Sequence, residues 1–285
     1  MTSLAPLLSA QLSVDYPKKP EVLREVSLDI EQGEIVGLVG QSGSGKSTLA
    51  LALMGLLPHK GASVRGELVF QGEDLQKYSE RQFRALRGRR MSIVLQSPLT
   101  SLNPMLSIGA QLQEAWRAHA TGTSQECLAA VCSALHSASL DADAEFLLRR
   151  PSQLSIGQAQ RVVIAMAILH RPALLIADEA TSALDTITQS EILRLFATLN
   201  REMGMAILYI SHDLLSVAAL CHRIAILQSG RIVECAAAGQ IFESPRDEYT
   251  RRLVAALPKA PSLANRTALF DVAGAKPAPL ALSRN

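Results

Sequence analysis

Hydrophobic and polar positions along the chain divide it into short apolar runs and longer amphipathic stretches. Largely apolar runs predict strands at 36–39, 66–70, 91–95, 173–177 and 205–210. Helices are predicted at 48–57, 155–169 and 186–203, and the last of these carries apolar residues on one face and ends at Gly204. Two further runs, 223–227 and 231–234, flank Ser229-Gly230 and predict a hairpin.

The order of these elements predicts an α/β fold with a parallel sheet, because strands alternate with helices in the middle of the chain. Strand-like runs disappear from 97 to 153, where Ala and Leu dominate, and 114–148 predicts two or three helices. Since strand signals then resume, we expect a helical subdomain inserted at about 97–160. The prediction is one domain over 1–258, followed by a loosely structured tail at 259–285.

Composition narrows the class of protein. Of the 285 residues, 48% are hydrophobic and 19% charged, which supplies a core and argues against disorder throughout the chain. The net charge of +2 is too balanced for a general nucleic-acid binder, and 4% aromatic residues leave few rings for stacking bases. The cysteines are expected to be reduced thiols, because none forms a CxxC pair: Cys127, Cys132, Cys221 and Cys235.

The chain offers no membrane-spanning signal. No apolar run approaches the roughly 18 residues that cross a bilayer. The first residues lack a basic segment before their apolar stretch, so we expect a first strand there and not a signal peptide. The sequence therefore predicts a soluble protein, or at most one that is held to a membrane by a partner.

A glycine-rich segment between a predicted strand and a predicted helix matches G-x-x-x-x-G-K-[ST] without a mismatch. Small residues let backbone N–H groups turn inward around a phosphate, and the helix N-terminus adds partial positive charge. The lysine can reach the β- and γ-phosphates, and the serine that follows it can ligate Mg²⁺. The expected phosphate-binding residues are Gly40, Gln41, Ser42, Gly43, Ser44, Gly45, Lys46, Ser47 and Thr48.

An acidic pair follows the predicted strand 173–177. Asp178 arrives at the carboxyl end of that strand, where open α/β sheets bind ligands, and can hold Mg²⁺ through water. Glu179 is then placed to polarise an attacking water as general base. Together with the glycine-rich segment, the pair indicates a P-loop nucleotide hydrolase.

Four shorter motifs specify the kind of hydrolase. The sequence LSIGQ at 154–158 resembles the LSGGQ signature of ABC-type ATPases, although Ser155 and Gln158 could equally cap an ordinary helix. Gln96 follows the strand 91–95, SALD at 182–185 matches the D-loop, and His212 follows the strand 205–210. In this order the motifs resemble the ABC ATPases over about residues 7–258.

The resemblance implies an ABC ATPase domain with an N-terminal antiparallel β subdomain, which binds ATP and Mg²⁺. It assigns the metal to Ser47, Gln96 and Asp178, and catalysis to Glu179, His212, Lys46 and Gln96. The resemblance also implies ATP contacts outside the P-loop, among which the ring of Tyr16 stacks on adenine. The residues concerned are Tyr16, Gln96, Ser155, Gly157, Gln158, Asp178 and Asp185.

Within the family, the segments 96–104 and 248–258 resemble the oligopeptide, dipeptide and nickel importer branch. The chain departs from its relatives at 246–248, at Ile156 in place of the first signature glycine, and at Ala180 where many relatives have proline. The tail has no cysteines, so we expect no iron–sulfur cluster there.

The resemblance further implies partners: a second cassette, identical or different, two transmembrane permease subunits, and indirectly an extracytoplasmic solute-binding protein. It places the chain on the cytoplasmic face of the inner membrane, held there by the permeases and without nucleic acid. The expected function is the motor of an importer for a peptide, nickel or metal chelate. Alternatives are a soluble ABC ATPase acting on nucleic acid or ribosomes, disfavoured by a single cassette without a coiled-coil insertion, and a regulatory cassette, disfavoured by the intact Glu179 and His212.

Overall fold

The computed structural model describes residues 5–257. The strands are β1 (Leu8–Tyr16), β2 (Lys19–Ile30), β3 (Ile35–Val39), β4 (Ser63–Phe70), β5 (Glu73–Asp74), β6 (Met91–Val94), β7 (Leu174–Asp178), β8 (Ala206–Ser211), β9 (Arg223–Gln228) and β10 (Arg231–Ala237). The α-helices are α1 (Lys46–Leu53), α2 (Glu80–Leu86), α3 (Pro98–Ser101), α4 (Ile108–Arg117), α5 (Ser124–Ser137), α6 (Ala144–Leu148), α7 (Ile156–Ile168), α8 (Thr186–Met203), α9 (Leu214–Leu220), α10 (Ala238–Glu243) and α11 (Glu248–Ala255).

Two sheets organise these elements. The first is antiparallel, with strand order β2-β1-β4-β5. The second has the order β10-β9-β3-β8-β7-β6, and all its strands run parallel except β10, which pairs antiparallel with β9. Every residue of β3, β7 and β8 is buried, as expected for strands covered on both faces. The predicted α/β fold with an N-terminal antiparallel sheet is confirmed.

Buried apolar residues form two clusters on opposite faces of the larger sheet. One cluster joins that sheet to the helices that follow β6 and to α8, with Trp116, Ile164 and Phe196 among its members. The other fills the space between the two sheets around α1, and includes Phe70 and Leu49. The larger sheet is therefore the layer on which both halves of the core depend.

Five helices, α3 to α7, lie between β6 and β7 in the chain. The predicted helical stretch 114–148 contains α5, α6 and the end of α4, but α4 begins at Ile108 because the Ser107 hydroxyl accepts from Ala110 N and caps it. The division into a domain with an inserted helical subdomain stays a prediction. The predicted tail, 259–285, lies outside the described residues.

Other boundaries differ from the sequence prediction for identifiable reasons. The helix predicted at 48–57 begins at Lys46 and ends at Leu53. Gly55 then takes a φ of +62°, and the Arg87 guanidinium donates to the carbonyls of Met54 and Gly55 in place of further helical turns. Several elements were not predicted from the sequence, among them β2, α2, α9 and α10. Within residues 5–257, no helix is long and apolar enough to cross a membrane.

Candidate nucleotide-binding site

Four parallel strands of the larger sheet bring the predicted polar residues to one edge. The glycine-rich segment follows β3, Gln96 follows β6, Asp178 ends β7, and His212 follows β8. Carboxyl ends of parallel strands share an edge, so residues far apart in the sequence meet there.

Glycines give the loop at 40–47 its shape. Gly43 and Gly45 have φ values of +79° and +111°, which residues with a Cβ rarely adopt. A Cβ on Gly40 would lie 2.2 Å from the carbonyl oxygen of Leu227, so only glycine fits there. Around Gly43 there is nothing within 4 Å of a built Cβ, and this side of the loop is open. The loop can therefore accept a phosphate against its backbone.

The Lys46 side chain folds back over this loop and is only 4% exposed. Its ammonium donates to the carbonyl oxygens of Gly40 at 2.8 Å and Gln41 at 3.1 Å. Its Nζ also lies 3.8 Å from Glu179 Oε1. The loop thus holds a buried positive charge at its centre, where an anion would be stabilised.

Asp178 is buried beside the first turn of α1, with 6% of its surface exposed. Burial raises the pKa of its carboxyl, a hydrogen bond with the Ser47 side chain lowers it, and the charge of Glu179 raises it again. Its Oδ1 has no hydrogen-bond partner within the structure. A buried carboxylate oxygen without a partner, next to a serine hydroxyl, is a donor set suited to a hard cation.

Glu179 lies at the centre of the cluster. Its carboxylate accepts from Gln96 Nε2 at 3.2 Å, and its Oε2 is 3.5 Å from Nδ1 of the exposed His212. The backbone of Glu179 has a φ of +49°, uncommon outside glycine, and its N–H donates to Ile210 O at 2.9 Å. Such conformations concentrate at functional sites, so the backbone of Glu179 has a feature that is typical of active-site residues.

The segment 182–185 connects this cluster to α8. The Ser182 hydroxyl donates to the Glu179 carbonyl oxygen at 3.0 Å and lies 3.3 Å from Gln96 Nε2. Asp185 caps α8, because its carboxylate accepts from the backbone N–H groups of Ile187 and Thr188. The hydrogen bonds from Thr188 lower the pKa of Asp185 most, and the one from Ile187 lowers it further.

The predicted signature residues lie at the start of α7. Ser155 Oγ accepts from Gln158 N at 3.1 Å, and Gln158 Oε1 accepts from Ser155 N at 3.0 Å, which makes a reciprocal helix cap. Ile156 is 48% exposed. A Cβ on Gly157 would lie 2.8 Å from Thr188 Cγ2, so α7 starts in close contact with α8.

The structure brings together one group of predicted residues by direct contact: Lys46, Ser47, Gln96, Asp178, Glu179 and His212. Tyr16 ends β1 and packs, half-buried, against the core between the two sheets. The sequence reasoning missed Thr181 and Tyr209, whose hydroxyls share a buried hydrogen bond of 2.8 Å beside the site. The sequence signal that could have identified Tyr209 was its polar ring within the otherwise apolar run 205–210.

Comparisons with known proteins give one consistent answer. The family model described as ABC transporter matches residues 23–182. The dipeptide transport ATP-binding protein DppD of Escherichia coli (strain K12) is 42% identical over 252 residues, which are 87% of this chain and 77% of that protein. The glutathione import ATP-binding protein GsiA of Salmonella choleraesuis (strain SC-B67) is 41% identical over 245 residues, 84% of this chain and 39% of that longer protein.

A solved structure agrees with the sequence comparisons. The ATP-binding cassette MJ0796, a dimer in a post-hydrolysis state bound to ADP and Pi, superposes with a TM-score of 0.69 at 27% identity. The match covers 81% of this chain and 98% of that one.

Proposed function

The chain belongs to the ABC transporter family as an ATPase subunit, and we propose that it powers import of a small peptide by closing and opening on ATP with a second cassette. The observation that carries the proposal is the single cluster of Lys46, Asp178, Glu179 and His212 beside an open phosphate loop. A loop that could only bind phosphate would not need a carboxylate and a histidine held against it.

In this proposal ATP binds with its β- and γ-phosphates on the backbone N–H groups of the loop 40–48. The Lys46 ammonium would exchange its carbonyl partners for phosphate oxygens, a stronger charge-assisted pairing. The glycine backbone and the buried lysine support this assignment. Tyr16, at the end of β1, would supply the aromatic contact to adenine.

Mg²⁺ is assigned to Ser47, Gln96 and Asp178. The unpartnered Oδ1 of Asp178 and the neighbouring Ser47 hydroxyl are oxygen donors of the kind Mg²⁺ prefers, so the residues fit the ion. When bound, the ion would neutralise charge that develops on the phosphate oxygens.

Glu179 is assigned as the residue that orients and polarises the attacking water. Gln96 and His212 both contact its Oε2, and this orients the carboxylate before nucleotide arrives. Hydrolysis places new negative charge on the released phosphate. His212, which follows β8, can donate a hydrogen bond to that phosphate.

The remaining predicted residues are assigned to ATP held by the other cassette of a pair. Ser155 and Gln158 hydrogen-bond to each other at a helix start, and such a start offers N–H groups to an anion. The dimeric state described for MJ0796 supports a pair of cassettes, identical or different, as the working unit. We propose that Ser155, Gly157 and Gln158 of one cassette complete the site that Lys46 of the other begins, with Asp185 beside the junction.

The proposed solute is a small peptide, because the similar proteins are named for dipeptide transport and for import of glutathione, which is itself a small peptide. Two permeases would receive the motion near Gln96 and the helices after it, and would hold the chain at the membrane. We divide the chain accordingly into an ATPase domain over 1–258, a helical subdomain at about 97–160, and a tail at 259–285.

Solute uptake in the host tests this proposal. Deleting the gene should abolish accumulation of labelled di- and tripeptides and leave nickel accumulation unchanged. The wild-type gene should restore peptide uptake, whereas the Lys46→Ala form should not. Loss of nickel uptake alone would refute the peptide assignment. Binding of the isolated chain to protein-free liposomes would refute attachment through permeases.

A further inference from the structure

A chain of buried hydroxyl groups runs beneath the nucleotide site. Tyr209 lies on β8 and is fully buried, and its hydroxyl shares the 2.8 Å hydrogen bond with Thr181 Oγ1. The same phenol donates to Ser216 Oγ at 3.4 Å, and Ser216 Oγ is also 3.4 Å from Ser211 Oγ. These four residues form a continuous polar contact within an otherwise apolar layer.

The two ends of this chain lie on the two segments that carry the site. Thr181 follows Glu179 by two residues and belongs to the turn that leads to Asp185. At the other end, Ser211 Oγ accepts from Asp213 N at 3.0 Å, and Ser216 Oγ donates to Asp213 O at 2.8 Å. Both serines thus fix the loop in which His212 is the central residue.

Packing alone does not require this phenol. Its ring lies 6.1 Å from that of Phe196, centroid to centroid, and a phenylalanine would preserve this contact. Burying a hydroxyl costs free energy unless it is hydrogen-bonded, so a buried tyrosine at this position needs the partners it has. Burial raises the pKa of Tyr209 still further above physiological pH, at which an ordinary phenol is already protonated and able to donate.

We propose that the Tyr209 hydroxyl positions two catalytic segments against each other, coupling the Glu179–Asp185 turn to the His212 loop. The inference rests on the proposed roles of Glu179 and His212. Tyr209 touches no reacting atom, so it is a positioning residue. When the hydroxyl chain is intact, a shift of either segment is transmitted to the other through Thr181 and Ser216.

The test compares Tyr209→Phe, Thr181→Val and the double variant in the full-length chain. Thr250→Val is the matched control, because Thr250 is fully buried on α11. We expect kcat for ATP to fall roughly 5- to 50-fold in both single variants and the double, less than the ~100-fold cost of a 1 Å misplacement, with KM unchanged. The double effect should equal that of Tyr209→Phe, because the Thr181 hydrogen bond is already lost with the phenol and Thr181→Val then removes no further contact of the chain.

Stability separates positioning from a purely structural role. Each single variant leaves one hydroxyl of the Thr181–Tyr209 hydrogen bond without that partner and should unfold at lower urea concentration. The double replaces both hydroxyls by apolar groups and should recover most of the lost stability. If kcat recovered with stability in the double, or were unchanged in Tyr209→Phe, the inference would be overturned.

Amide hydrogen exchange provides a readout that needs no catalysis. In Tyr209→Phe, exchange at 181–185 and at 211–213 should rise together, and Thr250→Val should leave both segments unchanged. A rise in one segment only would overturn the coupling. A wild-type chain that hydrolyses no ATP would refute the proposed function, but the exchange result would still decide this inference.

Discussion

Substituting Glu179 by glutamine tests the proposed chemistry with the smallest change in shape. The amide keeps the size of the carboxylate and can still accept from Gln96 through its oxygen. It cannot accept a proton from water, and it loses the charge that faces Lys46 at 3.8 Å and His212 at 3.5 Å. The substitution therefore removes the base and leaves the phosphate loop in place.

The magnitude follows from the contacts. General-base catalysis contributes about 10²–10⁴-fold, so kcat should fall by about that factor, or roughly 2.7–5.4 kcal/mol of activation free energy. Nucleotide affinity should hold, because Lys46 keeps its place over the loop. Loss of the Glu179 charge also removes one cause of the raised pKa of Asp178.

The assay measures phosphate release and equilibrium ATP binding on the same preparation of purified full-length chain. Glu202→Gln is the control, since Glu202 is an exposed acid near the end of α8 and undergoes the same chemical change. With MgATP, Glu179→Gln should also accumulate as a closed dimer in size-exclusion chromatography, because hydrolysis no longer opens it.

Two results would refute the reasoning. Turnover within about threefold of wild type, a difference of about 0.65 kcal/mol, would remove Glu179 from the role of base. Loss of ATP binding together with turnover would show instead that the carboxylate is needed to assemble the loop, with Lys46 left buried without its counter-charge.

Three further predictions concern other parts of the molecule. If the partner cassette is a different chain, Ile156→Gly should raise turnover at the partner's site by less than about tenfold, because a β-branched side chain restricts the helix start where close approach to phosphate is wanted. Equal rates at both sites, unchanged by Ile156→Gly and measured with each catalytic glutamate disabled in turn, would contradict this. Gly157→Ala should lower turnover about tenfold, or 1.4 kcal/mol, with ATP binding to the same chain retained. The added Cβ meets Thr188 Cγ2 at 2.8 Å, so Thr188→Ser, which removes that methyl, should restore the rate. The Arg87 hydrogen bond lowers the pKa of Glu80 to about 2, so this pair stabilises the fold above the unfolded pKa of about 4.5 and its contribution is lost as pH falls toward 2. In urea unfolding at pH 5 and pH 3, Arg87→Gln should show a smaller loss of stability on acidification than wild type; an unchanged difference between the two pH values would exclude the pair as its source.

Local sequence patterns identified the contiguous parts of the site. The glycine-rich loop and the Asp178-Glu179 pair are each a short segment whose shape depends on its own residues, and both lie where predicted. The amphipathic helix Thr186–Met203 was predicted to the residue, because its apolar face and its closing Gly204 are both local signals.

Elements whose stability depends on distant partners were missed or misplaced. β2 pairs with β1 along most of its length, and many of its residues are exposed, so its sequence lacks a buried run. The end of α1 depends on Arg87, which lies more than thirty positions from the carbonyls it caps. Neither partner can be inferred from the residues nearby.

The sequence by itself therefore determined the nucleotide chemistry, because phosphate loops and acidic strand ends are built from neighbouring residues. The tertiary structure decided which side chains act on one another. Gln96 and Glu179, 83 residues apart, share a hydrogen bond only because β6 and β7 are adjacent in the sheet. Tyr209 appears in the sequence as an isolated polar ring, and its link to Thr181 exists because two strand ends are packed together where an unpaired hydroxyl would be costly.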